Sequence, residues 1–377
     1  MSVTAPRPPS VTAALPWRGS ALPATADSDV LTPFHNPQWG RAWARVRTEE
    51  ISAHRLLQWP LSDRTHHLPL YLVDSSPLWH ALEGDAGLAA AGKVFRGPVT
   101  FARTLYGEYG GLPGAPRVVK AEAVDRGLQV AAEWDSTALV VTNLCADDVA
   151  QWSAARAPQA AVTLYWAHRV HLPRSADAFV DGAATTRSHK ARREIRRQWK
   201  RGSEAGLTLT VLHGGGILPL VPILASQAAA TSRQHGPALY GPDMLSAAAT
   251  VPGALALVAR RGDQVEGAFV CFQADGVLYL WTAALNLAHR AELHTYAWLM
   301  WESLTYAIAN GAHTLDAGRG NYPYKHTLGF TTVPLTALFY LTPNADPGLV
   351  NRLGVMHDGL RTHAERAWRG HRDRPLK

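Results

Sequence analysis

The sequence predicts an α/β fold with mixed sheets, arranged as two lobes in tandem with a cleft between them. With 377 residues, the chain suits either two domains or one large, internally duplicated domain. Apolar runs of strand length alternate with segments of helical periodicity in both halves. Three consecutive apolar runs between residues 255 and 283 are joined by Gly-Asp and Asp-Gly turns, which predicts an antiparallel meander.

We divide the chain into four parts. Residues 1–33 are predicted to be a disordered leader, 34–155 the first lobe, 156–345 the second lobe, and 346–377 a basic C-terminal helix or tail packed outside the lobes. The leader has no basic segment followed by an apolar core, so it does not predict a signal peptide.

The first lobe is predicted to start with a helix that has Asn36 as its N-cap and Pro37 in its first turn. Its predicted strands are Leu56–Trp59, Leu68–Val73 and Ala138–Leu144, and its predicted long helix is Arg117–Trp134. A glycine-punctuated loop, Tyr106–Gly114, precedes that helix.

The second lobe is predicted to start with a strand, Val162–Leu172, and a helix from about Ser175 to the stop at Gly206. After this strand and helix, five further strands are predicted: Leu207–Leu212, Leu255–Arg261, Val265–Gln273, Val277–Ala283 and Thr314–Ala317. A helix that stops at Gly311 is predicted before the last of them. A final strand, Leu335–Thr342, is predicted to close the lobe.

The composition is that of a globular protein and not of a disordered or fibrous one, because 47% of the residues are apolar and 18% are charged. The net charge of +7 suits a phosphate-bearing partner such as tRNA, a nucleotide-linked substrate or coenzyme A. The alternative is that the arginine excess reflects a GC-rich genome.

Cys145 and Cys271 lie far apart and close to apolar residues, which predicts free thiols in a reducing compartment and hence a cytoplasmic protein. The most apolar run, 217–230, contains Pro219 and Pro222 and is shorter than a membrane span, so we predict no transmembrane helix. The histidines show no ligand spacing, and no metal is predicted.

One predicted helix carries a dense set of cations with a single acid, Glu194. It is expected to pack through Ala191, Ile195 and Trp199 and to bind donor phosphates through its cations, because guanidinium groups match phosphate oxygens. The alternative is a solvated basic face. The predicted phosphate-binding residues are Arg187, Lys190, Arg193, Arg196, Arg197 and Lys200.

A second group of polar residues follows the predicted strand Thr314–Ala317, between glycines that let backbone approach a ligand. Lys325 and Arg319 are candidates for stabilising the oxyanion that forms when an amine attacks an ester or thioester. Asn321, Tyr322 and Tyr324 are predicted to bind substrate. The alternative is that Asp316 and Arg319 form a structural ion pair and the tyrosines pack.

Two stretches in this order resemble the FemAB and BioF2-like branch of the GNAT acyltransferase superfamily. The first is the basic segment TTRSHKARREIRRQWKRGSEAG, and the second is LDAGRGNYPYKHTLGF, which follows the helix LHTYAWLMWESLTYAIANG. The opening FHNPQW and the loop YGEYGG add to the likeness. The resemblance covers roughly residues 34–342 and implies two GNAT-like lobes.

The resemblance also implies a chemistry. The lysine shortly before Gly-Phe, Lys325 here, lies at the active site of tRNA-dependent members. The stretch ALNLAHRAELHT lacks the glycines that usually cradle the coenzyme A pyrophosphate, which favours aminoacyl-tRNA as donor, with acyl-CoA as the alternative. We expect amide formation on an amine of a small molecule, such as a secondary metabolite or envelope precursor, and no tightly bound cofactor.

The loop YGEYGG supplies three further candidates. Tyr106 and Tyr109 are predicted to line the cleft as substrate-binding residues, and Glu108 to accept a proton there, with a packed turn as the alternative. A rival of another class is a non-catalytic RNA- or phosphate-binding module on the same scaffold.

Overall fold

The computed structural model describes residues 32–62, 64–88, 93–182, 189–233 and 237–372. The predicted leader lies outside the described residues except for Thr32 and Pro33, and Arg187 lies outside them as well. The side chain of Lys190 is also outside the description.

The elements of the first half run from residue 37 to residue 155. They are α1 (Pro37–Trp43), β1 (Ile51–Pro60), β2 (Thr65–Val73), α2 (Pro77–Asp85), β3 (Val99–Ala102), α3 (Arg117–Glu133), β4 (Ala138–Leu144) and α4 (Ala146–Ala155). The Asn36 side chain accepts a hydrogen bond from Gln38 N at 2.8 Å, which confirms the predicted N-cap.

The second half begins with β5 (Ala160–His171), α5 (Ala176–Gly182), α6 (His189–Glu204), β6 (Thr208–His213), α7 (Val221–Arg233) and α8 (Pro242–Ala249). The meander follows as β7 (Ala254–Arg261), β8 (Gln264–Ala274) and β9 (Val277–Leu285). The chain continues through α9 (Arg290–Leu293), α10 (Thr295–Ala309), β10 (Thr314–Asp316), α11 (Tyr322–Thr327), β11 (Thr331–Leu341) and α12 (Leu349–Arg372).

The described strands form one mixed sheet in the order β1-β2-β3-β4-β11-β5-β10-β9-β8-β7-β6. The meander β7-β8-β9 is antiparallel, as predicted. The same unit occurs once in each half: β3 and β4 are parallel and joined through α3, and β9 and β10 are parallel and joined through α10. The mixed α/β fold class is therefore confirmed.

The two halves of the sheet meet where β4 pairs with β11. β11, the last strand, pairs antiparallel with β4 of the first half and with β5, and β5 pairs in turn with β10. The predicted lobe boundary at residue 155 falls between α4 and β5, and it stays a prediction.

The first helix packs on the second half of the chain. Trp39 lies edge-on to Trp281 with ring centroids 5.6 Å apart, and Phe34 contacts Phe272 at 5.5 Å. Trp39 and Trp43 are stacked at 5.0 Å. Aromatic burial of this size fixes the N-terminal segment against β8 and β9.

The C-terminal helix α12 belongs to the core, which corrects the expectation that it packs outside the lobes. Leu349, Leu353, Met356 and Leu360 repeat at helical spacing on it and are all buried, and the helix packs on β5, α2 and α11. The periodicity that buries α12 was present in the sequence, but its position over the sheet depends on tertiary packing.

Several bounds differ from the sequence prediction. The helix expected from Ser175 to Gly206 is seen as α5 and α6, with residues 183–188 outside the described part. The elements β3, α2, α4, α8, α9 and α11 were not predicted. Helix α11 contains Pro323, which is compatible with the first turn of a helix.

Among the described residues, one stretch, Gly214–Arg233, is long and apolar enough to cross a membrane by length and composition. It consists of a 3₁₀ segment, Gly214–Leu220, followed by α7, which buries Leu224, Ala225 and Ala228. Core helices of globular proteins pass the same test. The prediction of no membrane span therefore stays a prediction.

Both cysteines are free thiols. Cys271 is buried on β8, as predicted, and Cys145 is half-buried. The cytoplasmic location inferred from them stays a prediction.

Candidate active site

The candidate site lies where β9 and β10 separate. The two strands pair in parallel only between Val277–Tyr279 and Thr314–Asp316. Immediately after Asp316 the chain follows β5 instead, because Ala317 N donates to His168 O at 2.8 Å and His168 N donates to Gly318 O at 3.2 Å. This separation leaves a gap beside β9.

Gly318 is required at this point of the chain. Its φ of +61° falls in the left-handed region, and a Cβ there would lie 2.9 Å from Leu280 O and 3.1 Å from the Glu108 carboxylate. A side chain is therefore excluded both by backbone conformation and by contact with the next strand.

A cavity of about 1000 Å³ opens onto the gap. Both halves of the chain contribute to its wall, which is mostly apolar and aromatic, as in many small-molecule sites. The wall includes Leu78, Leu82, Asp85, Tyr165, Trp166, Tyr240, Trp281, Arg290, His294, Tyr296, Arg319, Asn321, Tyr322, Tyr324, Lys325, Leu360 and His363.

Lys325 reaches the cavity from α11 and is 2% exposed. Its Nζ donates to Gly318 O at 3.0 Å and to Arg319 O at 2.8 Å. An ammonium group has three N–H donors, so these two carbonyls leave one for a ligand. Burial lowers the pKa of Lys325 to about 7, against the opposing effect of the Glu108 and Asp316 carboxylates.

Arg319 also lies in the cavity wall, but most of its guanidinium is held by protein. Its Nε is 3.1 Å from Glu108 Oε2, its Nη1 donates to Leu105 O at 2.8 Å, and its Cζ lies 4.4 Å from the centre of the Tyr165 ring. These contacts fix the group and the loop that carries it.

Glu108 is not part of the cavity wall and is 1% exposed. Burial raises its pKa to about 7, and the charge of Arg319 opposes that rise. The Glu108 carboxylate contacts Arg319 and does not line the cavity. The role of Glu108 as a proton acceptor for the substrate stays a prediction.

The alternative considered from the sequence was an ion pair between Asp316 and Arg319, but the structure gives Asp316 other partners. Its carboxylate accepts a hydrogen bond from Arg169 Nε at 2.7 Å, another from Tyr109 Oη at 2.5 Å and a third from Gly318 N at 2.9 Å. The supposed pair between Asp316 and Arg319 is therefore wrong, and two separate ion pairs anchor the loop.

The predicted substrate-binding residues fall into two groups. Asn321, Tyr322 and Tyr324 line the cavity. Tyr106 and Tyr109 do not: Tyr106 packs on Trp43 with ring centroids 5.2 Å apart, and Tyr109 is held by Asp316 beneath the Arg169 guanidinium. Both tyrosines thus sit in the packed interior that supports the site.

Sequence reasoning missed a large part of the wall. Tyr165, Tyr240, Trp281 and Tyr296 come from separate strands, loops and helices, and each occurs in a stretch that indicates core packing. No spacing rule relates them, so nothing short of tertiary structure brings them together.

Residues 189–326 match the family model described as an acetyltransferase (GNAT) domain. This segment of the chain is therefore similar to a GNAT acetyltransferase domain. The matched segment contains α6, the meander, and both Arg319 and Lys325. No curated protein matches this sequence at a significant level.

Two solved structures show the same fold as the chain. FemX is 11% identical, with a TM-score of 0.51 over 80% of this chain and 90% of FemX. L-PGS from Bacillus licheniformis is 11% identical, with a TM-score of 0.50 over 80% of this chain and 89% of that one. Together with the family match, these likenesses agree with the predicted resemblance to the FemAB-like GNAT branch.

Helix α6 opens the matched segment and packs on α10 through Ile195 and Trp199 of the predicted apolar stripe, while the side chain of Ala191 lies outside the described residues. Ile195 is buried, Trp199 stacks on Trp301 with ring centroids 5.0 Å apart, and Trp199 Nε1 donates to Glu302 at 2.9 Å. Gln198 of this helix lines the cavity.

The basic face of α6 is more balanced than the sequence indicated, because Asp181 of α5 and two glutamates of α6 itself pair with its cations. Arg196 pairs with Asp181 at 2.8 Å, and Lys200 lies 3.4 Å from Glu204. Arg197 pairs with Glu194 at 2.6 Å, while Arg193 is exposed. Exposed pairs of this kind are worth about 1 kcal/mol or less, so phosphate can compete for these cations.

The loop between β9 and α10 of the GNAT domain uses its backbone donors internally. Asn286 N donates to Glu266 O at 3.0 Å, and His289 N to Asn286 O at 3.3 Å. The buried Glu266 carboxylate pairs with Arg261 at 3.1 Å and with His289 at 2.9 Å, which fixes the loop. A free glycine-rich cradle for a pyrophosphate is thus absent from this described loop.

Proposed function

We propose that this GNAT domain transfers an aminoacyl group from aminoacyl-tRNA to an amine of a small molecule. The observation that carries the proposal is the position of Lys325: this buried lysine, whose Nζ is fixed by two carbonyls, lines a cavity at the point where β9 and β10 separate. A fixed cation in a water-poor site is suited to stabilising an oxyanion.

The chemistry follows from that placement. The amine nitrogen attacks the ester carbonyl carbon, and the carbonyl oxygen becomes an oxyanion that accepts the third N–H of Lys325. When the oxyanion collapses, the amide forms and the bond to the ribose oxygen breaks. The nitrogen loses one proton and the ribose oxygen gains one, so no cofactor is consumed.

Arg319 and Tyr322 are proposed to position the substrates and not to exchange protons. Arg319 is held by Glu108 and the carbonyl of Leu105, so it keeps the loop Gly318–Asn321 in place around Lys325. Tyr322 offers a ring face inside the cavity, close to Trp166 at 6.1 Å.

The choice of tRNA as donor is supported by two features. The loop after β9 uses its N–H groups within the protein and rests on Glu266, which disfavours the usual pose of a coenzyme A pyrophosphate. Helix α6 also carries exposed arginines next to the cavity: Gln198 of this helix lines the cavity, and Arg201 Nη1 lies 3.2 Å from Nε2 of the cavity-lining His294.

The test is an amide-formation assay that compares charged tRNA with acyl-CoA as donor against a panel of amines, with detection by mass spectrometry. Product from charged tRNA alone supports the proposal. Product from acyl-CoA alone would show that the donor is acyl-CoA and not aminoacyl-tRNA. Tight tRNA binding without product would favour a non-catalytic binding module.

The contribution of α6 has its own test. Reversing Arg193 and Arg197 to glutamate removes two cations at the exposed face, so we expect weaker tRNA binding and a smaller dependence of log Kd on log salt, by roughly two phosphate contacts. Thermal melts check folding. A double variant that binds tRNA with the parental affinity and salt slope would leave α6 as a solvated surface.

A further inference from the structure

A second cavity, of about 230 Å³, lies against the other face of helix α2. Its wall is formed by the end of β2, by α2 and by the segment 95–101. Within the described part of the chain, it has no lining residue in common with the cavity at Lys325. Three side chains of its wall, Ser75, His80 and Glu83, are joined by hydrogen bonds.

The three side chains form a continuous chain from a buried carboxylate to a hydroxyl. Ser75 Oγ lies 3.1 Å from His80 Nε2, and His80 Nδ1 lies 3.0 Å from Glu83 Oε2. The other oxygen of Glu83, Oε1, accepts hydrogen bonds from Trp79 Nε1 at 3.0 Å and from Val94 N at 2.8 Å. Both carboxylate oxygens are therefore fixed, while Ser75 and the ring of His80 are only half-buried.

The hydrogen bonds determine which ring nitrogen of His80 carries the proton. A carboxylate has only acceptor atoms, so Nδ1 of His80 donates to Glu83. In the neutral ring Nε2 is then the acceptor, and the hydroxyl of Ser75 donates to it. A nucleophile, a base and a group that orients the base are thus in sequence, which is the arrangement that activates a serine hydroxyl for acyl transfer.

The junction between β2 and α2 sets the position of the hydroxyl. Ser75 O accepts a hydrogen bond from Glu50 N at 3.1 Å, which holds the end of β2. Ser76 is the N-cap of α2, and its Oγ accepts a hydrogen bond from Trp79 N at 3.4 Å. Ser75 therefore lies at the N-terminal end of this helix, where the helix dipole favours an anionic oxygen.

We propose that Ser75, His80 and Glu83 form a second catalytic site, which hydrolyses esters of short carboxylic acids. Ser75 is the nucleophile, His80 is the general base, and Glu83 is a positioning residue that holds the ring of His80. Val73 and Phe101 are among the apolar residues of the same cavity, which suit an acyl group. Its volume is below the roughly 300–1,000 Å³ of pockets for drug-sized ligands, so the acyl group is short.

The proposed reaction consumes only the ester and water. Ser75 Oγ bonds to the ester carbonyl carbon while its proton passes to His80 Nε2. The bond between that carbon and the alcohol oxygen breaks, and the alcohol oxygen takes the proton from His80. Water then attacks the acyl-serine and gives a proton to His80, the carboxylic acid leaves, and His80 returns the proton to Ser75 Oγ.

The test is covalent labelling of the whole protein with a fluorophosphonate, which reacts with activated serines, followed by peptide mapping with mass spectrometry. Hydrolysis of p-nitrophenyl acetate is measured on the same preparations. We expect the label on Ser75 of the parent and none on Ser75→Ala. His80→Gln should lower both rates about a hundredfold or more, because a general base is lost. Ser153→Ala, at a half-buried serine of α4 outside this cavity, should keep the parental rates.

Glu83→Gln tests the positioning role with little change of shape. The amide oxygen can keep the hydrogen bonds from Trp79 and Val94, but the NH₂ group then faces His80 Nδ1 and moves the ring proton to Nε2. We expect ¹⁵N NMR of the ring to show this move and labelling to fall about as far as in His80→Gln.

Thermal melts show that each variant is folded. A parent without label on Ser75 overturns the inference, as does a folded Ser75→Ala or His80→Gln variant with the parental rate of hydrolysis. A Glu83→Gln variant whose ring proton moves without loss of labelling also overturns it. None of these measurements uses an aminoacyl or acyl-CoA donor, so their outcome is independent of the proposed amide formation.

Discussion

Replacing Lys325 by methionine is the most direct perturbation of the proposed chemistry. Methionine fills a similar volume but removes the one cation that is fixed by two carbonyls and faces the cavity from α11. Loss of a charged donor to an oxyanion costs on the order of a hundredfold or more in turnover, roughly 3 kcal/mol. We therefore expect kcat for amide formation to fall by at least that factor.

The stability of the variant should change much less than its turnover. The carbonyls of Gly318 and Arg319 each lose a hydrogen bond, at a cost of about 1 kcal/mol apiece. Removing an ammonium group whose burial lowers its pKa to about 7 offsets part of that cost. The free energy of unfolding should therefore fall by no more than about 2 kcal/mol.

The assay is steady-state amide formation at saturating donor and acceptor, beside urea unfolding of the same preparations. Lys93→Met, at an exposed lysine that does not line the cavity, is the matched control and should keep parental turnover. A folded Lys325→Met enzyme with near-parental turnover would refute the reasoning and leave backbone N–H groups or Tyr322 as the oxyanion donors.

Two further predictions concern the support of the site. Burial raises the pKa of Glu108 from its ordinary 4.5 to about 7, so the folded state binds more protons than the unfolded state between these values and stability falls as pH rises through that window. Glu108→Gln should flatten this part of the profile of unfolding free energy against pH, measured by urea unfolding; an unchanged slope would show that Glu108 does not titrate there. Gly318→Ala should lower the free energy of unfolding by about 2–3 kcal/mol, because alanine is strained at this positive φ and its Cβ would lie 2.9 Å from Leu280 O. Gly320→Ala should lower it by only about 1 kcal/mol, because φ is +72° there but no atom lies within 4 Å of the new Cβ. Thermal melts of the two glycine variants measure the difference, and equal losses would contradict the close contact.

The sequence by itself determined the features that depend on local spacing. The N-cap at Asn36, the meander from β7 to β9 and the helix α10 follow from turn residues and apolar periodicity between neighbouring positions of the chain. The loop after β10 was also identified from its own composition, and the structure places Lys325, Arg319, Asn321, Tyr322 and Tyr324 of that loop at the cavity.

Only the tertiary structure decided which distant groups meet. Glu108 pairs with Arg319 across 211 residues, and Asp316 pairs with Arg169 across 147, so the ion pair suggested by proximity in sequence was replaced by two long-range ones. The cavity wall likewise depends on chain segments that are far apart in sequence, since α2 contributes Leu78 and α12 contributes Leu360. Local periodicity specifies which face of an element is apolar, but the partner of that face is set by packing of the whole chain, because burial energy does not depend on sequence separation.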